Sequence, residues 1–179
     1  MADRGGRYQI CGPNAFNRYG LSDQVPNRVH AYNNRLSGER TVGAISLTLI
    51  KVADARLGDT EESTTREGLT VAYSSRARTL IDAVSRFGSL PRGYAWITRE
   101  LAERRITPAA LVAATLRYGD SGTIRRMGAL LEKEGVNARV VRKLEGALPD
   151  STGTIPWIPT KPKRGTLNRR WGVIMNREI

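Results

Sequence analysis

The chain has 179 residues, a length that suits a single domain with a buried core. Its hydrophobic fraction of 40% and charged fraction of 26% are ordinary for a globular protein, but its formal net charge of +12 is not. Such a surplus favours polyanionic partners, nucleic acid above all. With Cys11 as its one cysteine and His30 as its one histidine, the sequence excludes an internal disulfide and a Cys/His metal cage.

The sequence shows no sign of export or membrane insertion. Its start, MADRGGRYQI, lacks the apolar core of a signal peptide, and its longest apolar stretch, AISLTLIKV, is too short to cross a bilayer. We therefore expect a cytoplasmic protein without a membrane partner.

Residues 7–73 are predicted to be rich in β-strands. Alternating apolar and polar residues mark two neighbouring strands, and the short Gly-containing turn between them predicts a hairpin. Pro13 opens a short helix that ends at Gly20, and the polar segment GDTEESTTREG is predicted to be a loop. The strand candidates, in chain order, are RYQIC, RVHAYNN, TVGAISLTLIKV and LTVAYSS.

Residues 74–149 are predicted to be helical. Apolar side chains recur there at helical spacing in five consecutive segments. Capping and stop residues bound the segments, as Thr107 and Gly119 do for the third. The five segments are SSRARTLIDAVSRFG, PRGYAWITRELAERR, TPAALVAATLRYG, SGTIRRMGALLEKEG and NARVVRKLEGALP.

Residues 150–179 are predicted to hold a Pro-rich connector and a final strand. Trp171, Val173 and Met175 alternate with other residues, as the buried face of a half-buried strand does. A lone strand would leave its backbone groups unpaired, so we expect this strand to join the sheet of the first half. The sequence thus predicts one α+β domain over residues 1–179, in which a small antiparallel or mixed sheet packs against about five helices.

Basic residues form two candidate patches, one on the last two helices and one in the connector. Ile124, Met127 and Leu131 define the inward face of the fourth helix, so its two arginines are expected to point away from the core. Phosphate contacts need cations at several points but no particular sequence; the alternative is a solvated surface without a ligand. The predicted nucleic-acid-binding residues are Arg125, Arg126, Arg139, Arg142, Lys161, Lys163, Arg164, Arg169 and Arg170.

No segment carries a catalytic motif. A phosphate-cradling glycine motif is absent from the sequence. Asp54 follows a strand, and Glu132 and Glu134 lie at a helix end, without the strand-borne acidic pair and lysine typical of a metal-dependent nuclease. We therefore expect no enzymatic activity, no metal and no cofactor, and weak DNA binding without sequence preference.

The order of several motifs resembles the AbiEi-type antitoxins of bacterial type IV toxin–antitoxin systems, which act in abortive infection. That family ends with R-R-[LM]-G-x-L-L-E, a Pro-rich connector, RG, and RW-x-[VI]-x-x-N. YQICGPNAFNRYGLSDQVP and YSSRARTLIDAV also resemble its antitoxin domain, so the resemblance runs from Tyr8 to Asn176. The matching residues of the final part are Arg125, Arg126, Met127, Gly128, Leu130, Leu131, Glu132, Arg164, Gly165, Arg170, Trp171, Val173 and Asn176.

The resemblance implies a regulatory function. In the family, a winged-helix domain that represses the operon typically precedes this region. The C-terminal domain neutralises a nucleotidyltransferase-like toxin, which it need not touch. Met1 lies only seven residues before the first match, so we expect an antitoxin domain without the N-terminal winged helix, either an isolated C-terminal domain or a short natural variant. Its basic surface would assist operator binding. The alternative is an autonomous basic DNA- or RNA-binding protein without a toxin partner.

Overall fold

The computed structural model describes residues 6–88, 90–149 and 153–176. The chain divides into two compact units between Thr79 and Leu80. The first unit is mainly β-sheet, and the second combines helices with a small sheet. The predicted α+β class is therefore confirmed, whereas the single domain over residues 1–179 stays a prediction.

The first unit is built on a six-stranded mixed sheet. Its spatial order is β3-β4-β2-β1-β6-β5; the pairs β2/β4 and β1/β6 are parallel, and the other pairs are antiparallel. A short helix, α1 (Pro13–Arg18), follows the first strand, and a 3₁₀ turn covers Asp54–Arg56. The strands are β1 (Tyr8–Ile10), β2 (Val29–Asn33), β3 (Gly38–Val42), β4 (Ile45–Lys51), β5 (Thr60–Thr64) and β6 (Thr70–Ser74).

Besides a hairpin of β5 and β6 that was not predicted, the sheet contains a hairpin that lies one strand later than the sequence predicted. Strands β3 and β4 form it, and Gly43 turns the chain with a φ of +59°, a conformation that glycine adopts without strain. The two strands predicted to form the hairpin, β2 and β4, instead pair in parallel. The predicted polar loop contains β5, an exposed edge strand. Alternation thus located strands but did not identify their partners.

Five helices follow the sheet, as predicted. Thr107 caps α4, since its hydroxyl accepts a hydrogen bond from the amide of Ala110, and Asp120 caps α5 by accepting from the amide of Thr123 at 2.6 Å. These caps fix where the helices begin. The helices are α2 (Arg76–Ser85), α3 (Leu90–Ala102), α4 (Pro108–Tyr118), α5 (Ser121–Lys133) and α6 (Ala138–Glu145).

The last strand belongs to a separate three-stranded sheet in the second unit. Strand β9 (Val173–Met175) lies between β7 (Ile155–Pro156), which is parallel to it, and β8 (Thr166–Asn168), which is antiparallel. The prediction that this strand joins the first sheet is therefore wrong. Its backbone groups are satisfied locally, because the Pro-rich connector itself supplies β7 and the basic segment supplies β8.

Candidate nucleic-acid interface

Helix α5 is buried on more sides than its apolar pattern predicts. Every residue from Thr123 to Leu131 except Arg126 is buried, which includes Arg125 and Gly128. The helix therefore packs against the segments around β7 and β9 as well as against its neighbouring helices. Two of the predicted phosphate-binding arginines lie in this packed region.

Arg125 is only 8% exposed and binds the main chain of the last segment. Its Nε donates to the Trp171 carbonyl at 2.6 Å, and its Nη2 donates to the carbonyls of Gly172 at 2.6 Å and Gly153 at 2.5 Å. Burial, together with the nearby charge of Arg126, lowers the pKa of Arg125. The expectation that Arg125 points away from the core is wrong, because the main chain around β7 and β9 closes over that side of α5.

Gly128 allows Trp171 to lie directly on α5. A Cβ atom at position 128 would overlap the six-membered ring of the indole, with Cδ2 only 2.5 Å away. Trp171 is 1% exposed, which confirms its predicted place in the core. The glycine and the tryptophan of the two motifs are therefore partners in one close contact between a helix and a strand end.

Arg170 links the ends of two helices to the end of β8. Its Nη1 donates to Glu132 at 2.8 Å, and its Nη2 donates to Glu145 at 2.9 Å. Asn168 donates to the second oxygen of Glu132 at 3.0 Å. Partial burial acts to raise the pKa of Glu132, but the hydrogen bonds from Asn168 and Arg170 hold it below its usual value. The bond from Arg170 also lowers the pKa of Glu145.

Three of the nine predicted cations thus make structural contacts inside the second unit. Besides Arg125 and Arg170, the half-buried Arg126 donates from Nε to the carbonyl of Pro156 in β7 at 3.1 Å. These arginines hold α5 against the small sheet. Their side chains are less available to a phosphate backbone than the sequence predicted.

The remaining basic side chains of both patches are exposed. None of them donates a side-chain hydrogen bond or forms an ion pair within the part of the chain that the structure describes. The six predicted residues in this group are Arg139, Arg142, Lys161, Lys163, Arg164 and Arg169, and Lys143 joins them on α6.

The two patches meet at Glu145. Its ion pair with Arg170 connects the end of α6 to the residue that follows Arg169. Arg142 lies one turn before Glu145 on the same helix, and its charge contributes to the low pKa of that carboxyl group. The helical patch and one end of the connector patch are therefore neighbours.

Asn176 fixes the other end of the connector patch. Its amide donates to the carbonyls of Ile158 at 3.0 Å, Lys161 at 3.2 Å and Pro162 at 3.0 Å, and its oxygen accepts from the amide of Ile158 at 2.8 Å. The basic connector is therefore held against the end of β9 and is not a free arm. Arg164 precedes β8 and Arg169 follows it, so their α-carbons are at most about 17 Å apart.

The described residues provide neither a metal-binding cluster nor a membrane-spanning helix. In residues 6–88, 90–149 and 153–176, no group of three or more His, Cys, Asp or Glu side chains could hold a metal ion. None of the helices described there has the length and apolar character needed to cross a membrane.

The fold and this surface define an α+β protein that presents a basic face. No protein-family model matches the sequence, and no curated protein matches it. The structure is similar to the crystal structure of the RV2827C protein from Mycobacterium tuberculosis, with a TM-score of 0.56 and 13% sequence identity. The similarity covers 93% of this chain and 61% of that chain, so this chain spans about three-fifths of its structural neighbour. At this identity the similarity shows the fold alone.

Proposed function

We propose that the protein is a non-enzymatic antitoxin-type regulator whose second unit contacts the phosphate backbone of DNA. The observation that carries the DNA-binding part is the group of exposed basic side chains on α6 and the connector, which donate no side-chain hydrogen bond and form no ion pair within the described residues. On α6 these are Arg139, Arg142 and Lys143. Cations on a fixed surface suit phosphates, because contacts with the phosphate backbone need no particular base sequence.

The antitoxin part of the proposal is supported by the order of motifs from Tyr8 to Asn176. Several residues of those motifs have contacts that explain their types. Arg125 binds carbonyls, Gly128 admits the ring of Trp171, and Arg170 pairs with two carboxylates. These contacts hold the basic surface in place. The functional partner in this proposal is a nucleotidyltransferase-like toxin, with or without direct contact.

The DNA-binding part is tested by the salt dependence of duplex binding. Fluorescence anisotropy with two unrelated duplexes should give similar, weak affinities. The log–log slope against salt should be about −0.9 per phosphate neutralised. The triple variant Arg139→Ala, Arg142→Ala and Lys143→Ala should flatten that slope by the equivalent of about one to three neutralised phosphates. Replacing Lys161, Lys163, Arg164 and Arg169 by alanine should also flatten it.

A matched control separates a defined surface from net charge. Arg35, Lys51 and Arg66 are exposed cations of the first unit, and their joint replacement by alanine removes the same charge. If that control flattens the slope as much as the α6 triple variant, or if no duplex binds at low salt, the surface assignment is wrong. Tight, sequence-selective binding at physiological salt would favour the alternative, an autonomous DNA- or RNA-binding protein.

The regulatory part is tested by co-expression with the product of the neighbouring gene. If that gene encodes a nucleotidyltransferase-like toxin, the protein should restore growth of cells that express it. DNA, RNA and nucleotides incubated with the protein and divalent metals should remain unchanged. Turnover that Asp54→Ala abolishes would contradict the absence of enzymatic activity.

A further inference from the structure

The second unit contains a cavity of about 460 Å³ where the two basic patches meet. Its walls come from α5, the end of α6, the segment before β7 and the turn between β8 and β9. The polar lining residues are Arg125, Glu145, Thr154, Arg169 and Arg170. A volume of this size suits a small organic ligand, such as one nucleotide, better than a single ion.

Arg125 supplies the cavity with a buried positive charge that no described carboxylate neutralises. All three of its hydrogen bonds go to neutral carbonyl groups. A buried ion without a counter-charge is unfavourable, so buried charges in proteins are usually paired. The same unit follows that rule elsewhere, because the fully buried Glu100 accepts two hydrogen bonds from Arg105.

The contacts of Arg125 leave part of its guanidinium for a ligand. Nε and Nη2 make the three hydrogen bonds, and Nη1 donates none within the described residues. The carbonyl groups that hold Nε and Nη2 fix the plane of the guanidinium, so Nη1 is oriented in advance. A preoriented arginine loses little side-chain entropy when it binds an oxyanion.

The other charged residues that line the cavity are two arginines and one glutamate. Arg169 is exposed and its side chain makes no hydrogen bond or ion pair within the described residues, whereas Arg170 and Glu145 form an ion pair with each other. Arg125 and Arg169 therefore remain as two cations without a described counter-ion. Two guanidinium groups that face one space match the several acceptor oxygens of a phosphate group.

We propose that this cavity is a phosphate-binding site in which Arg125 and Arg169 hold the phosphate group of a nucleotide or of a nucleic-acid end. The proposal rests on the proposed function, since it gives the basic surface a specific point of attachment. The exposed cations bind the backbone with little geometric preference. The cavity instead prefers a phosphate that can enter it, namely a monoester with free oxygens.

The test compares three probes with the full chain: inorganic phosphate, adenosine 5′-monophosphate, and duplexes with or without a 5′-phosphate. Tryptophan fluorescence should report saturable binding, because Trp171 lines the cavity. Binding of the nucleotide in preference to inorganic phosphate would identify a nucleotide site. A preference for the 5′-phosphorylated duplex, without nucleotide binding, would identify a nucleic-acid end; either result supports the phosphate site.

Variants locate the site. Arg169→Ala should weaken the binding of the preferred probe about tenfold, the loss of one charged hydrogen-bonded contact. Thr154→Phe should also weaken it, by filling the cavity without a change of charge. Arg35→Ala removes an exposed cation of the first unit, outside the cavity and both basic patches, and should leave binding unchanged. Arg169 and Thr154 are exposed, so both proteins should fold, and thermal melting checks this.

The outcomes for the cavity and for the surface are distinct. If neither inorganic phosphate nor the nucleotide binds saturably and a 5′-phosphate does not strengthen duplex binding, or if Arg35→Ala weakens binding as much as Arg169→Ala, the cavity is not a phosphate site. Salt-dependent duplex binding would then still support the basic surface. If a nucleotide binds but no duplex does at low salt, the cavity proposal stands and the DNA-binding proposal fails.

Discussion

Replacing Gly128 by alanine should destabilise the second unit, although alanine is the better helix former. The added Cβ would overlap the indole of Trp171, which is buried and whose carbonyl is held by Arg125. Overpacking of a fixed core contact costs typically 1–3 kcal/mol, and the severity of this overlap argues for about 3. Alanine recovers about 1 kcal/mol of helix propensity. The net loss is about 2 kcal/mol, which for a unit of this size lowers the Tm by about 8–16 °C.

Tryptophan fluorescence is the appropriate assay, because Trp96, Trp157 and Trp171 all belong to the second unit. Gly122→Ala, in the same helix, is the matched control. Its Cβ would meet the end of the Arg126 side chain at 3.1 Å and Oδ1 of Asp120 at 3.5 Å, an ordinary contact. Gly122→Ala should therefore not destabilise the second unit, and helix propensity should raise its free energy of unfolding by up to about 1 kcal/mol.

A double variant tests whether the steric contact is the cause. Trp171→Leu removes the overlapping ring, so Gly128→Ala should cost much less in that background than in the wild type. If the two substitutions are additive, or if Gly128→Ala melts like Gly122→Ala, the overlap is not what makes glycine necessary.

Arg170→Gln should lower the free energy of unfolding by about 1 kcal/mol at neutral pH. Glu132 and Glu145, which Arg170 binds, have lowered pKa values, so the stability difference between variant and wild type should disappear as the pH falls below 4.5. Urea titrations that show the same difference at every pH would contradict the pairing. Burial lowers the pKa of His30, so the first unit should lose stability as the pH drops below 6.5. Unfolding followed by circular dichroism measures this loss, and His30→Gln should remove it. Truncation after Pro162 deletes β8 and β9 and should unfold the second unit; unchanged fluorescence melting would show that the small sheet contributes nothing.

The sequence predicted the helices better than the sheets. Helical periodicity and caps are local signals, and the five helices lie where those signals placed them. Strand alternation shows which side is buried but not which strand lies alongside. The pairing of β2 with β4 and of β9 with β7 therefore could not be predicted, and the two-residue β7 was hidden in a Pro-rich connector.

The sequence predicted most of the basic residues of the candidate site, but not the contacts that three of them make. The exposed cations of α6 and the connector were identified correctly as exposed, because they lie in polar segments. Arg125 was wrongly predicted to be exposed, because the prediction assumed that α5 has one buried face. In the structure, the segment around β9 covers a second face of this helix. A signal was present: Gly128 lies three residues after Arg125, and a glycine inside a helix often marks a close approach. The cavity joins residues distant in sequence, so no local pattern could show it.

The position of β1 in the first sheet affects the order in which the protein folds. This three-residue strand lies between β2 and β6, and its pairing with β6 joins Ile10 to Tyr73, which are 63 positions apart. Contacts between distant residues form slowly because a long loop must close first, whereas neighbouring helices such as α5 and α6 meet through a short connection. We therefore expect α4, α5 and α6, which follow one another in the chain, to pack together sooner than β1 completes its pairing. Strand β1 cannot complete its pairing until β6 has been synthesised, so its apolar residues stay exposed while the intervening residues are made.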